Sequence, residues 1–338
     1  MELSVLRAKQ PEQVEARSDG RCWGADDRQL RLFDVPISVD LRWLSATVRA
    51  SALGDPAHPP VVVLGGISAD RFPCVRPNGS AGWWPGLVGD GCAVDPARHH
   101  VIGVDFAADE AGGNAPSTLD QARVLAAALD AIGVDQPCTI VGASYGGMVA
   151  LALAQTEPEK VARLVVISAG AEPHPAATAA RELQRRVVAL GIECGRGDEA
   201  LAIARGMAML TYRTPDEFAE RFDGGIEECR TVACSEPGAY LRARGDAFLS
   251  VMSPGRFLSL SASIDRHRID PAEITAPCLL IGAESDQLVF PEQMRALDAM
   301  LAGPSELHLL DSLYGHDMFL KESRRIGDIV APFLGARA

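Results

Sequence analysis

The chain has 338 residues, 47% of them hydrophobic, and a formal net charge of −13. That length can bury a large core, as one big domain or one domain with an insertion. The acidic balance, with no Lys/Arg cluster beyond pairs such as Arg185-Arg186 and Arg324-Arg325, argues against a nucleic-acid partner, and no apolar run reaches the ~20 residues that span a bilayer.

Residues 1–30 are polar and weakly patterned, without the apolar stretch of a signal peptide. They are expected to form an N-terminal lead-in to a cytoplasmic protein with no membrane partner. The eight cysteines show no CxxC spacing, which predicts reduced, mostly buried thiols and no metal site. Residues 31–50 alternate in places (Ile37, Val39, Leu41, Trp43), as strands do.

Short runs rich in Val, Ile and Leu then follow at intervals: VVVLGG (61–66), HVIGVDF (100–106), CTIVGAS (138–144), RLVVIS (163–168), PCLLIGAES (277–285) and ELHLLDS (306–312). Each is bounded by Gly, Pro or Asp, the pattern of strands buried in a parallel sheet. Helical patterns lie between them. STLDQARVLAAALDAIG opens on a capping-box-like Ser117-x-x-Asp120, and PEQMRALDAMLAG has Pro291 at a first helical position and Gly303 at its stop. This alternation predicts an α/β fold with a mostly parallel sheet.

From about 172 to 268 the alternation stops, and helix-like runs take over: ATAARELQRRVVALGIE, GDEALAIARGMAMLTYR, TPDEFAERFD and PGAYLRARGDAFLSVM. The expected organisation is a core over 31–171 and 269–338 with a helical lid insertion over 172–268, above the C-terminal edge of the sheet.

The chemistry points to GASYGG, residues 142–147, between a strand pattern and an alanine-rich helix pattern. Gly-x-Ser-x-Gly in that context is a nucleophile elbow, in which a sharp turn exposes the serine hydroxyl above the sheet. Ser144 is the predicted nucleophile, and the Tyr145 amide an oxyanion donor. A glycine-rich turn made only for close packing is the bland alternative, and the strand-before, helix-after context favours the elbow. A serine needs a base, and on such a fold the acid and the histidine follow in that order. Asp286 follows the CLLIG strand and His316 follows LHLL. Glu284 is the serious rival to Asp286, Asp270 a lesser one, and His308 reads as structural. A second oxyanion donor is expected from LGGISADR, with the Ile67 amide as candidate and a plain Gly-Gly turn as the equal alternative.

These residues carry a resemblance to the homoserine O-acyltransferases of the α/β-hydrolase superfamily, over most of the chain after about residue 30. It is strongest in VGASYGGMVAL, MAMLTYRTPDEFAERF and the run from IDPAEITAPCLLIGAESDQLVFPEQM to LHLLDSLYGHDMFLKE. The resemblance implies an α/β-hydrolase fold and transfer of an acetyl or succinyl group from acyl-CoA to L-homoserine, early in methionine synthesis. It implies ping-pong chemistry on Ser144, His316 and Asp286, with acyl-CoA as co-substrate and no bound cofactor or metal. Arg213 in LTYR matches an arginine that binds the substrate, through its carboxylate, and Asp317 a contact to the amino group. A homodimer through the lid helices is expected from the family alone.

The chain departs from the family in two places. Gly-Gly-Ile-Ser stands where a His-Ala-Leu-Thr-like loop is common, and VDFAADEAGGNAPST replaces a longer Asn- and Gly-rich stretch. L-serine or another hydroxy amino acid therefore competes with homoserine as acceptor. Arg71 or Arg76, as partner for a second carboxylate, gives a lean towards succinyl. The competing functions are a serine carboxylesterase of the same fold and a non-enzymatic binding protein, against which the intact Ser144, Asp286 and His316 argue.

Overall fold

Nearly every apolar run bounded by Gly, Pro or Asp becomes a strand in the computed structural model, which describes residues 31–36, 47–222 and 235–335. In chain order the strands are β1 (Arg31–Pro36), β2 (Thr47–Leu53), β3 (Pro60–Leu64), β4 (His100–Val104), β5 (Cys138–Ala143), β6 (Val161–Ile167), β7 (Cys278–Ala283) and β8 (Ser305–Leu310). They form one eight-stranded sheet in the order β1-β2-β4-β3-β5-β6-β7-β8. β1–β2 and β2–β4 pair antiparallel, and every other neighbouring pair is parallel. The order turns outwards in both directions from β3 and β5, and the crevice at such a switch, beyond the C-terminal strand ends, is where ligands bind in open α/β sheets. Ile37, Val39, Leu41 and Trp43 and the 1–30 lead-in lie outside the described residues.

Helices cover both faces. α1 (Thr118–Ala131) begins at the Ser117/Asp120 capping box. α2 (Tyr145–Thr156) is buried at every residue from Tyr145 to Ala154, because it lies against the middle of the sheet and packs on α1. Its all-round apolar sequence is what such a position demands. Between β6 and β7 come α3 (Pro175–Glu193), α4 (Gly197–Tyr212), α5 (Pro215–Arg221), α6 (Glu236–Phe248) and α7 (Pro254–Asp265), with no strand among the described residues of this stretch. After β7 follow α8 (Pro291–Met300) and, beyond β8, α9 (Met318–Lys321) and α10 (Ser323–Gly335). Apolar clusters form on the two faces of the sheet, one around α1 and α2, the other around Trp84, Phe319 and Ile326.

The two ends of the helical insertion are tied together. The Ile269 amide donates to the Ala171 carbonyl at 3.1 Å. Next to it, buried His267 has Nε2 3.0 Å from the Gly170 carbonyl and Nδ1 2.7 Å from the Thr118 hydroxyl. A carbonyl only accepts, so Nε2 carries the proton and Nδ1 accepts from Thr118. Among the described residues no helix is long and apolar enough to cross a membrane.

Candidate active site

The turn from β5 into α2 explains the spelling of its sequence. A Cβ on Gly142 would stand 2.4 Å from the Gly146 carbonyl oxygen, and one on Gly146 2.4 Å from that of Leu64. Glycine is the residue that lets strand and helix cross so closely. Between them Ser144 adopts φ 53°, ψ −120°, a left-handed conformation that strains a non-glycine residue. Its amide donates to the Ile167 carbonyl at 2.8 Å, which pins the strained residue to β6.

Loops at the C-terminal strand ends bring the partners. His316 lies in a one-turn 3-10 helix after β8 and Asp286 in the loop after β7, and both are buried. His316 Nδ1 is 2.8 Å from Asp286 Oδ2, and His316 Nε2 is 2.8 Å from Ser144 Oγ. An ionised carboxylate only accepts, so the proton sits on Nδ1 and Nε2 is free to accept from the serine. Asp286 Oδ1 is itself held by the Leu288 and Val289 amides, at 2.8 and 3.0 Å. Burial pulls the His316 pKa down, but the charge and hydrogen bond of Asp286 outweigh it, and the net shift is upward. The rival acids are occupied elsewhere. Glu284 pairs with exposed Arg295, Asp270 caps the turn at Ala272, and His308 meets Glu306.

Two backbone amides are expected to serve the serine, those of Tyr145 and Ile67. The Gly146 amide is committed to the Gly65 carbonyl at 2.8 Å, whereas the Tyr145 amide stands at the start of α2, where a helix supplies no acceptor. Ile67 follows the Gly65-Gly66 turn and lines the same cavity. The Tyr145 side chain is buried. Its hydroxyl meets Ser263 Oγ on α7 at 2.5 Å, so the elbow is fastened directly to the helical insertion.

The cavity at Ser144 has a volume of about 180 Å³ and is walled on its outer side by α3, α4, α6 and α7. Asp317 lines it; Arg213 does not. The two are joined rather than held apart: Arg213 Nε donates to Asp317 Oδ2 at 3.2 Å and Nη1 to Glu217 Oε1 at 2.7 Å, with Arg213 buried. Arg71 and Arg76 are paired with Asp105 and Asp70, and neither reaches this cavity. The arginines that do line it are Arg181 on α3, which is paired with Asp265, and Arg205 on α4. The Arg205 guanidinium lies 5.2 Å from the ring centre of Tyr212 and 4.8 Å from that of Phe248, and it pairs with no carboxylate among the described residues. The Tyr212 ring in turn lies 5.8 Å from that of His316. Sequence reasoning passed over Arg205, although its signal was present: it stands seven residues before Tyr212, two turns along one helix face. No group of three or more His, Cys, Asp or Glu is placed to hold a metal among the described residues.

Residues 59–190 match the family model described as the alpha/beta hydrolase fold. Over 292 residues the chain is 40% identical to the homoserine O-succinyltransferase of Xanthomonas campestris, covering 85% of this chain and 78% of that protein. The chain belongs to the homoserine O-acyltransferase family of α/β hydrolases. A homoserine O-acetyltransferase of Thermus thermophilus is 31% identical, over 78% of this chain and 74% of its own. Among solved structures, the homoserine O-acetyltransferase of Bacillus anthracis superposes with a TM-score of 0.79 at 16% identity, covering 93% of this chain and 99% of that one, a likeness of fold. Membership in this acyltransferase family makes the protein an enzyme of transferase type.

Proposed function

We propose that the protein transfers an acetyl or succinyl group from acyl-CoA to the hydroxyl of L-homoserine by a ping-pong route, in the cytoplasm, as an early step towards methionine. The observation that carries this reading is the combination of an aligned Ser144–His316–Asp286 relay with Asp317 and Arg205 in one cavity. A hydrolase of simple esters needs the relay alone. An amino-acid acceptor also wants an anion for its ammonium and a cation for its carboxylate, and a guanidinium suits the latter.

Ser144 Oγ attacks the thioester carbonyl as His316 Nε2 takes its proton, and the Tyr145 and Ile67 amides receive the developing oxyanion. The C–S bond breaks, and the proton passes from His316 to the departing thiolate. Homoserine then enters with its ammonium at Asp317 and its carboxylate at Arg205. His316 removes the hydroxyl proton, the new C–O bond forms, and Ser144 leaves with the proton restored. Arg213 holds Asp317 in place from behind and spreads its own charge over two carboxylates. The helices α3 to α7 serve as the lid that keeps water, the competing nucleophile, from the acyl-enzyme.

Incubation with acyl-CoA in the absence of an amino acid should leave one acyl group on the peptide carrying Ser144, discharged on adding homoserine. An unmodified Ser144 after thiol release would refute the ping-pong route. L-serine is the second acceptor to test, because the loop at 105–118 differs from the family pattern. For assembly we favour a homodimer through the lid. Leu183 and Leu190 on α3 and Ile203 and Leu210 on α4 are each more than half exposed and spaced seven apart on two helices that pack together. A monomer in sedimentation at micromolar concentration would contradict it.

A further inference from the structure

The loop that carries the Ile67 amide is held weakly by its own backbone. It begins at Gly65-Gly66, is partly or fully exposed from Gly66 to Arg71, and closes on itself through the Ala69 amide and the Gly66 carbonyl at 2.9 Å. A side chain from outside spans it. At one end Trp83 Nε1 donates to the Asp70 carbonyl at 2.9 Å. At the other end the far edge of the indole lies against Gly65, where a Cβ would stand 2.7 Å from Trp83 Cη2. Gly65 begins the Gly-Gly-Ile-Ser that replaces the family's common His-Ala-Leu-Thr-like loop, and the Trp83 ring fills the room a side chain would need there. The ring also borders the catalytic cavity. It is anchored in turn. Trp83 stacks on Trp84 with ring centres 4.9 Å apart, and Trp84 is fully buried with its Nε1 donating to the Phe319 carbonyl at 2.9 Å. The Phe319 ring meets Trp84 edge-on at 5.8 Å and His316 edge-on at 6.0 Å, geometries in which aromatic rings attract. One line of contacts thus runs from the oxyanion loop to the general base.

We propose that Trp83 is the positioning residue of the oxyanion hole: its indole braces the 65–70 loop so that the Ile67 amide meets the oxyanion formed at Ser144, and the stack through Trp84 and Phe319 holds that loop and His316 as one unit. The inference rests on the relay and oxyanion assignments of the acyltransfer reading above, and not on which donor or acceptor the enzyme takes. Trp83 itself touches no reacting atom. Oxyanion donors work because they are already in place when the charge develops. A loop led by two glycines meets that condition when something outside it fixes its two ends. Without the indole the Ile67 amide is still present but no longer aimed, so the loss falls on the tetrahedral state and not on the planar ester.

Butylboronic acid bonds to a catalytic serine as a tetrahedral boronate and sets one oxygen where the oxyanion forms. The test compares the wild type with Trp83→Phe and Trp83→Tyr in p-nitrophenyl acetate cleavage and in inhibition by butylboronic acid. Rates are expressed per serine labelled by a fluorophosphonate, with melting curves alongside. Phenylalanine keeps a ring on Trp84 but is too short to reach the Asp70 carbonyl and Gly65. The expected result is a kcat/KM per labelled site lower by about tenfold to a hundredfold, short of what losing a donor outright can cost. The affinity for butylboronic acid falls by the same factor, to within about threefold. The pH midpoint of kcat/KM stays at the wild-type value, because Trp84 and Phe319 remain beside His316. If Trp83→Phe yields no labelled protein, Trp83→Tyr carries the same comparison. A rate per site within about twofold of wild type overturns the proposal. So does a rate loss that the boronic acid affinity does not follow, or one that comes with a shifted pH midpoint, which places the effect at His316. Thiol release from acyl-CoA is followed on the same preparations. A wild type that cleaves the ester but releases no thiol fails the acyl-CoA reading, and the ester and boronic acid ratios still decide the brace.

Discussion

Acid should weaken this protein at His267. It is 1% exposed and lies where the helical insertion rejoins the core, between Thr118 and the Gly170 carbonyl. Burial drives its pKa down to about 4, against a smaller upward pull from the Gly170 hydrogen bond. In the unfolded chain the same imidazole titrates near its ordinary value of about 6.5. Between those two values the unfolded state binds the extra proton, so stability is complete above pH 6.5 and is lost as pH falls towards 4. The gap of roughly 2.5 pH units corresponds to at most about 3 kcal/mol, a large share of the stability of an ordinary domain. Urea unfolding of the wild type and of His267→Gln at pH 7 and pH 4.5 measures it as a double difference, which cancels any packing cost of the substitution. The wild type should lose about 2–3 kcal/mol more than the variant over that interval. An equal loss in both would refute the assignment of a buried neutral imidazole.

Four further outcomes follow from the site. Gly146→Ala puts a methyl 2.4 Å from the Leu64 carbonyl, and should destabilise the protein by about 1–3 kcal/mol and displace Ser144; a melting temperature equal to wild type would contradict it. The wild-type kcat/KM should rise with pH through an ionisation above the ordinary histidine value, since Asp286 holds the His316 pKa up. Asp286→Asn should lower kcat by about 10⁴-fold and move that ionisation to lower pH, and a pH–rate profile reads both. Arg205→Met should raise the KM for homoserine at least about tenfold while ester cleavage continues, and an unchanged KM would remove Arg205 from the acceptor site.

Much of this was legible beforehand because it rests on local rules. β3 and β7 are buried throughout and β5 everywhere but Thr139, which is why they carry few polar interruptions. The elbow was readable because two glycines and a serine at that spacing answer one steric problem. Other features escaped because they depend on what lies across a gap. Arg213 and Arg205 are indistinguishable by composition. Among the described residues two carboxylates meet the first and none the second, and only the packing of α4 against the 315–317 turn decides it. The helix α7 was hidden by its sequence, FLSLSASI, whose alternation has the period of a strand. The buried serines are what make it a helix face: Ser259 accepts from the Asp109 amide, Ser261 from Arg185, and Ser263 meets the Tyr145 hydroxyl.

The central claim is acyl transfer to an amino acid, and thiol release tests it most directly. Acetyl-CoA and succinyl-CoA should each be followed with and without L-homoserine and L-serine. The account predicts steady release from at least one of the two donors that depends on homoserine. Release indifferent to either amino acid, or none alongside brisk cleavage of a simple ester, would contradict it and leave a hydrolase.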